Sequence, residues 1–427
     1  MKSVEKLLVR HGLEMNDVEM TNDYATIAQL IVAKEVQNDY EIMETINECD
    51  KVYMHGGEAS VDPHQHNLPL VEMDAYIRGI TRWFNALGIY TTMSCDGHNQ
   101  RPATIYLEKP LTFKQKEMLQ AIMPPSLRMT VTGKRMRLNY QSSENLLNFA
   151  GRLYQVYKDP SNFDYYAAQT LKRELLELLS INGESGNERK IRLYLKNKLR
   201  RILDDVYQDR AGNLLGYRYY GEGPTILLSA HLDTVEPFVE DREIIEEGTT
   251  LTSSKGILGA DDRAGIAIIL EVLRKVERTN FRGTIKVAFT VKEEIGCVGS
   301  SEMDQSFLED VDAAIVVDRR NTRDIVTSFA GVESFCPEAY GMLFEEAGRK
   351  LGMPDWKVTK GGSSDARNYA RAGVPAVNLS AGYVGEHTEG EMVDYLGSYE
   401  TGKLVLGVLS SGRIGWIANK NNELTIN

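Results

Sequence analysis

Five short stretches of the 427-residue chain carry residue types that could do metal chemistry, and they arrive in a fixed order. The first is Pro224-Thr-Ile-Leu-Leu-Ser-Ala-His231-Leu-Asp233, an apolar run of strand length ending in a histidine, with an aspartate two residues on. Alternation along a strand would put His231 and Asp233 on one side, so the carboxylate could hold the second imidazole nitrogen. The second is the turn Gly256-Ile-Leu-Gly-Ala-Asp261-Asp262-Arg263-Ala-Gly265, and the third, Val287–Gly296, ends a strand in the pair Glu293-Glu294. The fourth, Ala313–Asp318, ends a strand in one acid, and the fifth puts His387 in a loop after the last strand. Nitrogen and oxygen ligands without thiolate suit zinc, with cobalt or manganese as alternatives. A carboxylate shared by two ions would let them polarise a carbonyl and activate water together. Of the paired glutamates, one can ligate while the other takes the proton of the attacking water.

Each residue also has a plain reading. A strand-end aspartate is commonly a turn or a cap, paired glutamates commonly form a solvated face, and a loop histidine is commonly a surface residue. Those readings would have to hold independently at five strand ends of one sheet.

The elements that must position these residues are legible as well. From about Tyr165 strands and helices alternate, which predicts an α/β domain, residues 165–427, with a mainly parallel, mixed sheet and helices on both faces. Ligands gather at the carboxyl ends of strands in such sheets. Its expected helices include Leu171–Leu179, Glu188–Leu203, Ala264–Val276, Pro337–Leu351 and Thr401–Ile417. Residues 1–160 read as a separate small α+β domain. Helical patterns cover Asp23–Lys34, Glu41–Cys49 and Glu72–Leu87, followed by two strands, a helix, two strands and a helix from Ser143. The turn residues of Lys158–Asp164 mark the expected boundary.

Composition excludes other classes. An apolar content of 42%, a charged content of 26% and a net charge of −12 describe an ordinary globular protein without the basic face that nucleic acid requires. No apolar run reaches membrane-spanning length. The amino terminus lacks the apolar core of a signal peptide. Four cysteines without paired spacing suit free thiols in a reducing cytoplasm.

Taken together, the motifs resemble those of the co-catalytic di-zinc exopeptidase clan, which includes peptidase T, glutamate carboxypeptidase, aminoacylase and the bacterial leucyl aminopeptidases. The similarity covers about Tyr165 to Asn427 and includes the opening linker Ile181–Glu188 and the glycine-rich turn Gly361-Gly-Ser-Ser-Asp365-Ala-Arg. The resemblance implies two metal ions, one held by His231 and Asp318 and the other by Glu294 and His387, with Asp261 bridging. It implies that Glu293 is the general base and Asp233 the clamp on His231, and that a cis peptide follows the bridging aspartate. It departs from the pattern at Arg263, and in leaving too few residues between Asp318 and Gly361, or between His231 and Asp261, for an inserted lid or dimerisation domain.

The implied activity is that of an aminopeptidase on short peptides. A carboxypeptidase or an N-acyl-amino-acid deacylase is the alternative, kept open by Arg319 and Arg320 as carboxylate binders, and a non-catalytic binding protein is the remaining one. The first domain reads as a structural or homo-oligomerising unit with solvated histidines; the other readings are a cap lending His98 or Arg101, and a separate metal site using His64, His66, Cys95 or His98.

Overall fold

The computed structural model describes residues 9–12, 73–74, 76–98 and 100–415. The helices expected at Asp23–Lys34 and Glu41–Cys49 lie outside the described residues, as do His64 and His66. The chain divides into two compact units, Met1–Ala167 and Ala168–Asn427, with the division inside the helix Asn162–Leu179. The turn residues at Asp159–Ser161 separate two helices, where Ser161 N–H donates to the Asp159 carboxylate at 2.9 Å.

Among the described residues the first unit holds one antiparallel sheet in the order β1-β2-β4-β3, with strands β1 (Thr91–Cys95), β2 (Ala103–Leu107), β3 (Arg128–Thr132) and β4 (Arg135–Asn139). Along β3 and β4, buried or half-buried residues alternate with exposed ones, so one face is wet. The other face packs with helices Arg78–Ala86 and Ser143–Lys158 through Ile80, Trp83, Phe84, Phe149 and Leu153. The first helix begins at Arg78, later than the expected Glu72, because Asp74 caps the preceding turn, its carbonyl accepting from Ile77 and Arg78 N–H.

The second unit is built on a nine-stranded mixed sheet. Its strands are β5 (Asp205–Gln208), β6 (Leu214–Tyr219), β7 (Thr225–His231), β10 (Thr284–Thr290), β11 (Ala313–Arg319), β12 (Asp324–Phe329), β13 (Glu333–Ser334), β14 (Lys357–Gly361) and β15 (Ala376–Ser380). The order is β13-β12-β15-β11-β7-β10-β6-β5, with β14 paired to β12. The central four, β15-β11-β7-β10, are mutually parallel, and the antiparallel pairings lie toward the edges. The central strands are buried almost throughout, which is why they read as continuous apolar runs.

Helix Ala260–Val276 packs on β7 and β11, and nearly all of it is buried. Gly265 permits that approach, since a Cβ there would lie 2.0 Å from the Val317 carbonyl oxygen. Between Asp318 and Gly361 the chain forms β12, β13, one helix (Glu338–Lys350) and the start-to-end run of β14, and no separate domain.

A second sheet was not legible in the sequence. Strands β8 (Ile244–Glu247), β9 (Thr250–Ser253), β16 (Tyr383–Val384) and β17 (Met392–Asp394) pair in the order β16-β17-β9-β8. Each is short and β8 is largely exposed, so no hydrophobic alternation announces them. The helix expected at Thr401–Ile417 runs Tyr395–Ser410, starting earlier because the Asp394 side chain caps it by accepting from Leu396 N–H, and ending before a break at residues 411–413.

Candidate metal centre

The four parallel strands share one direction, so their carboxyl ends open on one edge. His231 is the last residue of β7, Asp318 lies near the end of β11, and Glu293 and Glu294 follow β10. His387 comes from the loop between β16 and β17. Asp261 enters from the start of helix Ala260–Val276, where the Asp261–Asp262 peptide is cis.

Asp261 lies between two pairs. Its Oδ1 is 3.0 Å from His231 Nε2, and its Oδ2 is 3.2 Å from His387 Nε2. On one side Asp318 Oδ1 is 3.6 Å from His231 Nε2; on the other Glu294 Oε2 is 2.7 Å from His387 Nε2. All seven residues singled out in the sequence are thus brought to one edge. His231, Asp233 and Asp261 are buried, while the His387 side chain is 44% exposed and faces the opening.

Asp233 does more than hold the imidazole. His231 Nδ1 sits 3.0 Å from the Asp233 backbone carbonyl and 3.5 Å from its Oδ1. β7 ends at His231, so the strand alternation expected to align the two residues does not extend to Asp233. The Asp233 carboxylate accepts from Glu293 N–H at 3.0 Å, Glu294 N–H at 3.2 Å and Ser185 Oγ at 2.6 Å. One carboxylate therefore ties the β7 end to the β10 turn.

Several groups around the site carried no signal of their own. Glu391 is buried and accepts from Gly259 and Asp261 N–H at 2.7 and 3.0 Å, fixing the Asp261 backbone. Tyr383 donates to Asp318 Oδ1 at 3.1 Å, and the buried Asp262 accepts from His231 and Gly265 N–H. Cys297 Sγ donates to Glu293 Oε1 at 3.0 Å. Tyr383 and Glu391 flank His387 in sequence, and Ser185 lies in the Ile181–Glu188 linker; proximity to a motif was the signal available. Arg263 is buried and donates to the Leu232 and Ile181 carbonyls, so it braces the backbone behind the site.

The electrostatics match a cation-binding set. Burial, with Asp318 beside it, pushes Glu293 up to about 9. Burial, with Asp261 nearby, pushes Glu294 up to about 7, and burial raises Asp318 to about 6. The Asp261 carboxylate lifts His387 to about 9. Burial works to raise Asp261, but hydrogen bonds from His231 and His387 outweigh it and hold it below the ordinary carboxylate range. Crowded carboxylates of this kind resist ionisation until a cation shares the space. Glu294 Oε1 is also buried without a hydrogen-bond partner, as a free ligand atom would be. The donors, two imidazoles and three carboxylates, fit two divalent ions of the zinc type. Asp261, Glu293 and Glu294 also recur in overlapping groups of three potential ligand atoms with His231 and Asp318.

Comparison with known proteins agrees with this architecture. Within the second unit, residues 216–403 match the model of Peptidase family M28. The fold is similar to that of aminopeptidase PepT from Bacillus cereus, with a TM-score of 0.53 at 20% identity over 57% of this chain and 98% of that one. A tripeptidase from Staphylococcus aureus gives a TM-score of 0.51 at 22% identity, covering 57% and 98%. Among curated relatives, the chain is 34% identical over 148 residues to the uncharacterized protein YqjE of Bacillus subtilis, covering 32% of this chain and 40% of that protein. It is 28% identical over 193 residues to the Peptidase T-like protein RB0614 of Rhizobium meliloti, covering 35% and 47%. The chain spans less than half the length of these two relatives.

Proposed function

We propose that the second unit is a metal-dependent exopeptidase, an aminopeptidase acting on short peptides, using two divalent ions with zinc as the first candidate. His231 and Asp318 would hold one ion and Glu294 and His387 the other, with Asp261 placed between the two pairs. When bound, the ions supply Lewis acidity toward the scissile carbonyl and lower the pKa of the attacking water. The observation that carries this reading is the Asp261 carboxylate, with one oxygen 3.0 Å from His231 and the other 3.2 Å from His387.

Glu293 takes the proton from the attacking water and delivers it to the departing amine. Its burial favours that role, because a buried carboxylate binds a proton more tightly than a solvated one. Cys297 Sγ, donating to Oε1, fixes the rotation of the Glu293 carboxylate. Asp233, through the Glu293 and Glu294 amides, sets the position of base and ligand together.

The aminopeptidase reading is favoured over the carboxypeptidase and deacylase readings by the state of the two arginines. Arg319 Nε donates to Asp324 at 3.2 Å and Arg320 Nε lies 2.9 Å from Glu386, so each already answers a carboxylate of its own chain. Cys95, Cys297 and Cys336 are free thiols, which supports the cytoplasmic reading. No described helix is long and apolar enough to cross a membrane.

The test is a peptide panel with zinc, cobalt or manganese added. Peptides with a free amine and a blocked carboxyl should be cleaved one residue at a time from the amino end. Cleavage confined to amine-blocked peptides or N-acyl amino acids would replace this reading with one of its rivals.

A further inference from the structure

We propose that the first unit binds a divalent transition-metal ion of its own, zinc by preference, through Asp74, Cys95, Asp96 and His98. Each of the four offers one ligand atom, and the four atoms all lie within 4.8 Å of one another. The sequence presents Cys95, Asp96 and His98 on one turn, but Asp74 comes from far upstream and only the fold adds it.

The turn is built to hold this arrangement. β1 ends at Cys95, and the chain doubles back at Gly97, whose φ is +80°. A Cβ at Gly97 would lie 2.0 Å from the Arg101 carbonyl oxygen, so no other residue closes the turn in this form. The reversal returns His98, at φ +52°, to the Asp96 side chain, with Nδ1 3.3 Å from Oδ1. Asp74 Oδ2 accepts from Asp96 N–H at 3.0 Å, which brings the segment ahead of helix Arg78–Ala86 against the end of β1. From outside the cluster, Tyr140 Oη donates to the Asp96 carbonyl at 2.6 Å.

The chemistry of the set separates it from an ordinary acidic surface. It combines one sulfur, one nitrogen and two carboxylate donors, and Asp96 is only 6% exposed. The charged neighbours that bear on Cys95 are Asp74 and Asp96; those that bear on Asp96 are Asp74 and His98. Two acids, a thiol and an imidazole therefore converge. One thiolate, one imidazole and two carboxylates make a four-ligand set suited to tetrahedral zinc or cobalt and unsuited to magnesium or calcium. Binding would release the Cys95 thiol proton to solvent, and the ion would join the Asp74 segment to the end of β1.

Cobalt tests the site without reference to peptidase activity. The metal-stripped full-length chain is titrated with Co²⁺, and the near-ultraviolet sulfur-to-cobalt charge-transfer band is followed. The wild-type chain should develop the band, and zinc should displace it. Cys95→Ser should abolish it, while Cys297→Ser, which alters the thiol beside Glu293, should keep it. His98→Ala removes a largely exposed side chain and should lower cobalt affinity at least tenfold with unchanged circular dichroism. Absence of the band in the wild type, or its persistence in Cys95→Ser, would overturn the proposal, as would unaltered cobalt affinity in His98→Ala.

Discussion

In the second unit three of the five proposed ligands, His231, Glu294 and Asp318, lie at or just past the ends of buried parallel strands, whereas in the first the proposed ligands gather at the end of one strand and its turn beside a half-exposed antiparallel sheet. Parallel strands carry their own alignment: β7, β10 and β11 are in register through backbone hydrogen bonds, so their carboxyl ends meet at one edge. The turn past β10 then adds its own geometry, since Lys292, just ahead of Glu293, has φ +55°. The cluster at Cys95 instead depends on the left-handed backbone at Gly97 and on a contact from Asp74. Strand ends set most of the one, and a turn with one distant contact sets the other.

The largest expected effect separates chemistry from assembly at the strand edge. Glu293→Gln should lower kcat by about 10²–10⁴-fold, the usual contribution of general acid–base catalysis, with metal content unchanged by elemental analysis. Residual turnover near the wild-type rate would remove Glu293 from the mechanism. Asp318→Ala and His387→Ala should each reduce the metal bound at the edge from two ions to one and leave the Cys95-dependent cobalt band intact. Loss of that band in either variant would break the independence of the two clusters.

A smaller effect is expected behind the ligands. Asp233→Ala removes the acceptor of Glu293 N–H, Glu294 N–H and Ser185 Oγ, and should weaken zinc binding by about 10–100-fold, measured by competition with a chelating dye. Unchanged affinity would mean that the backbone alone holds the β10 turn.

The pH dependence follows from His387. In the metal-free chain the Asp261 carboxylate lifts it to about 9, so below that pH the ring is protonated and must lose its proton to ligate. Zinc affinity should therefore fall as pH drops from 9, by roughly tenfold per unit for each proton displaced, with proton release detectable in weakly buffered titrations. Zinc affinity that is flat between pH 7 and 9 would contradict the assignment of His387 as a ligand.

The smallest effects are on stability. Gly265→Ala drives a Cβ toward the Val317 carbonyl and should cost about 1–3 kcal/mol in denaturant unfolding of the second unit. Gly97→Ala meets the Arg101 carbonyl and the positive φ together, and should disturb cobalt binding at the turn more than global stability. Equal losses of both at Gly97 would show that the turn is part of the core of the first unit.

This contrast also sets what could be read from the residues alone. The site strands, their apolar runs and the terminal acids were legible because burial on both faces leaves a continuous signal. The β8–β9 and β16–β17 pairs were not, because short strands with exposed faces, such as Ile244–Glu247, lack both alternation and an apolar run. His231 and Asp233 lie together, but Asp233 is past the strand, and its carboxylate accepts from the Glu293 and Glu294 amides. No local pattern encodes that contact, since it spans two strands. Asp74 was missed likewise, reaching its cluster from a separate part of the chain.

The central claim is that Asp261 is shared by two divalent ions at the edge of the β15-β11-β7-β10 array. Anomalous diffraction at the zinc edge from zinc-loaded crystals tests it most directly. Two peaks about 3.5–4 Å apart should flank the Asp261 carboxylate, one within ligand distance of His231 and Asp318 and the other of Glu294 and His387. One peak, or two peaks that do not share Asp261, would contradict it.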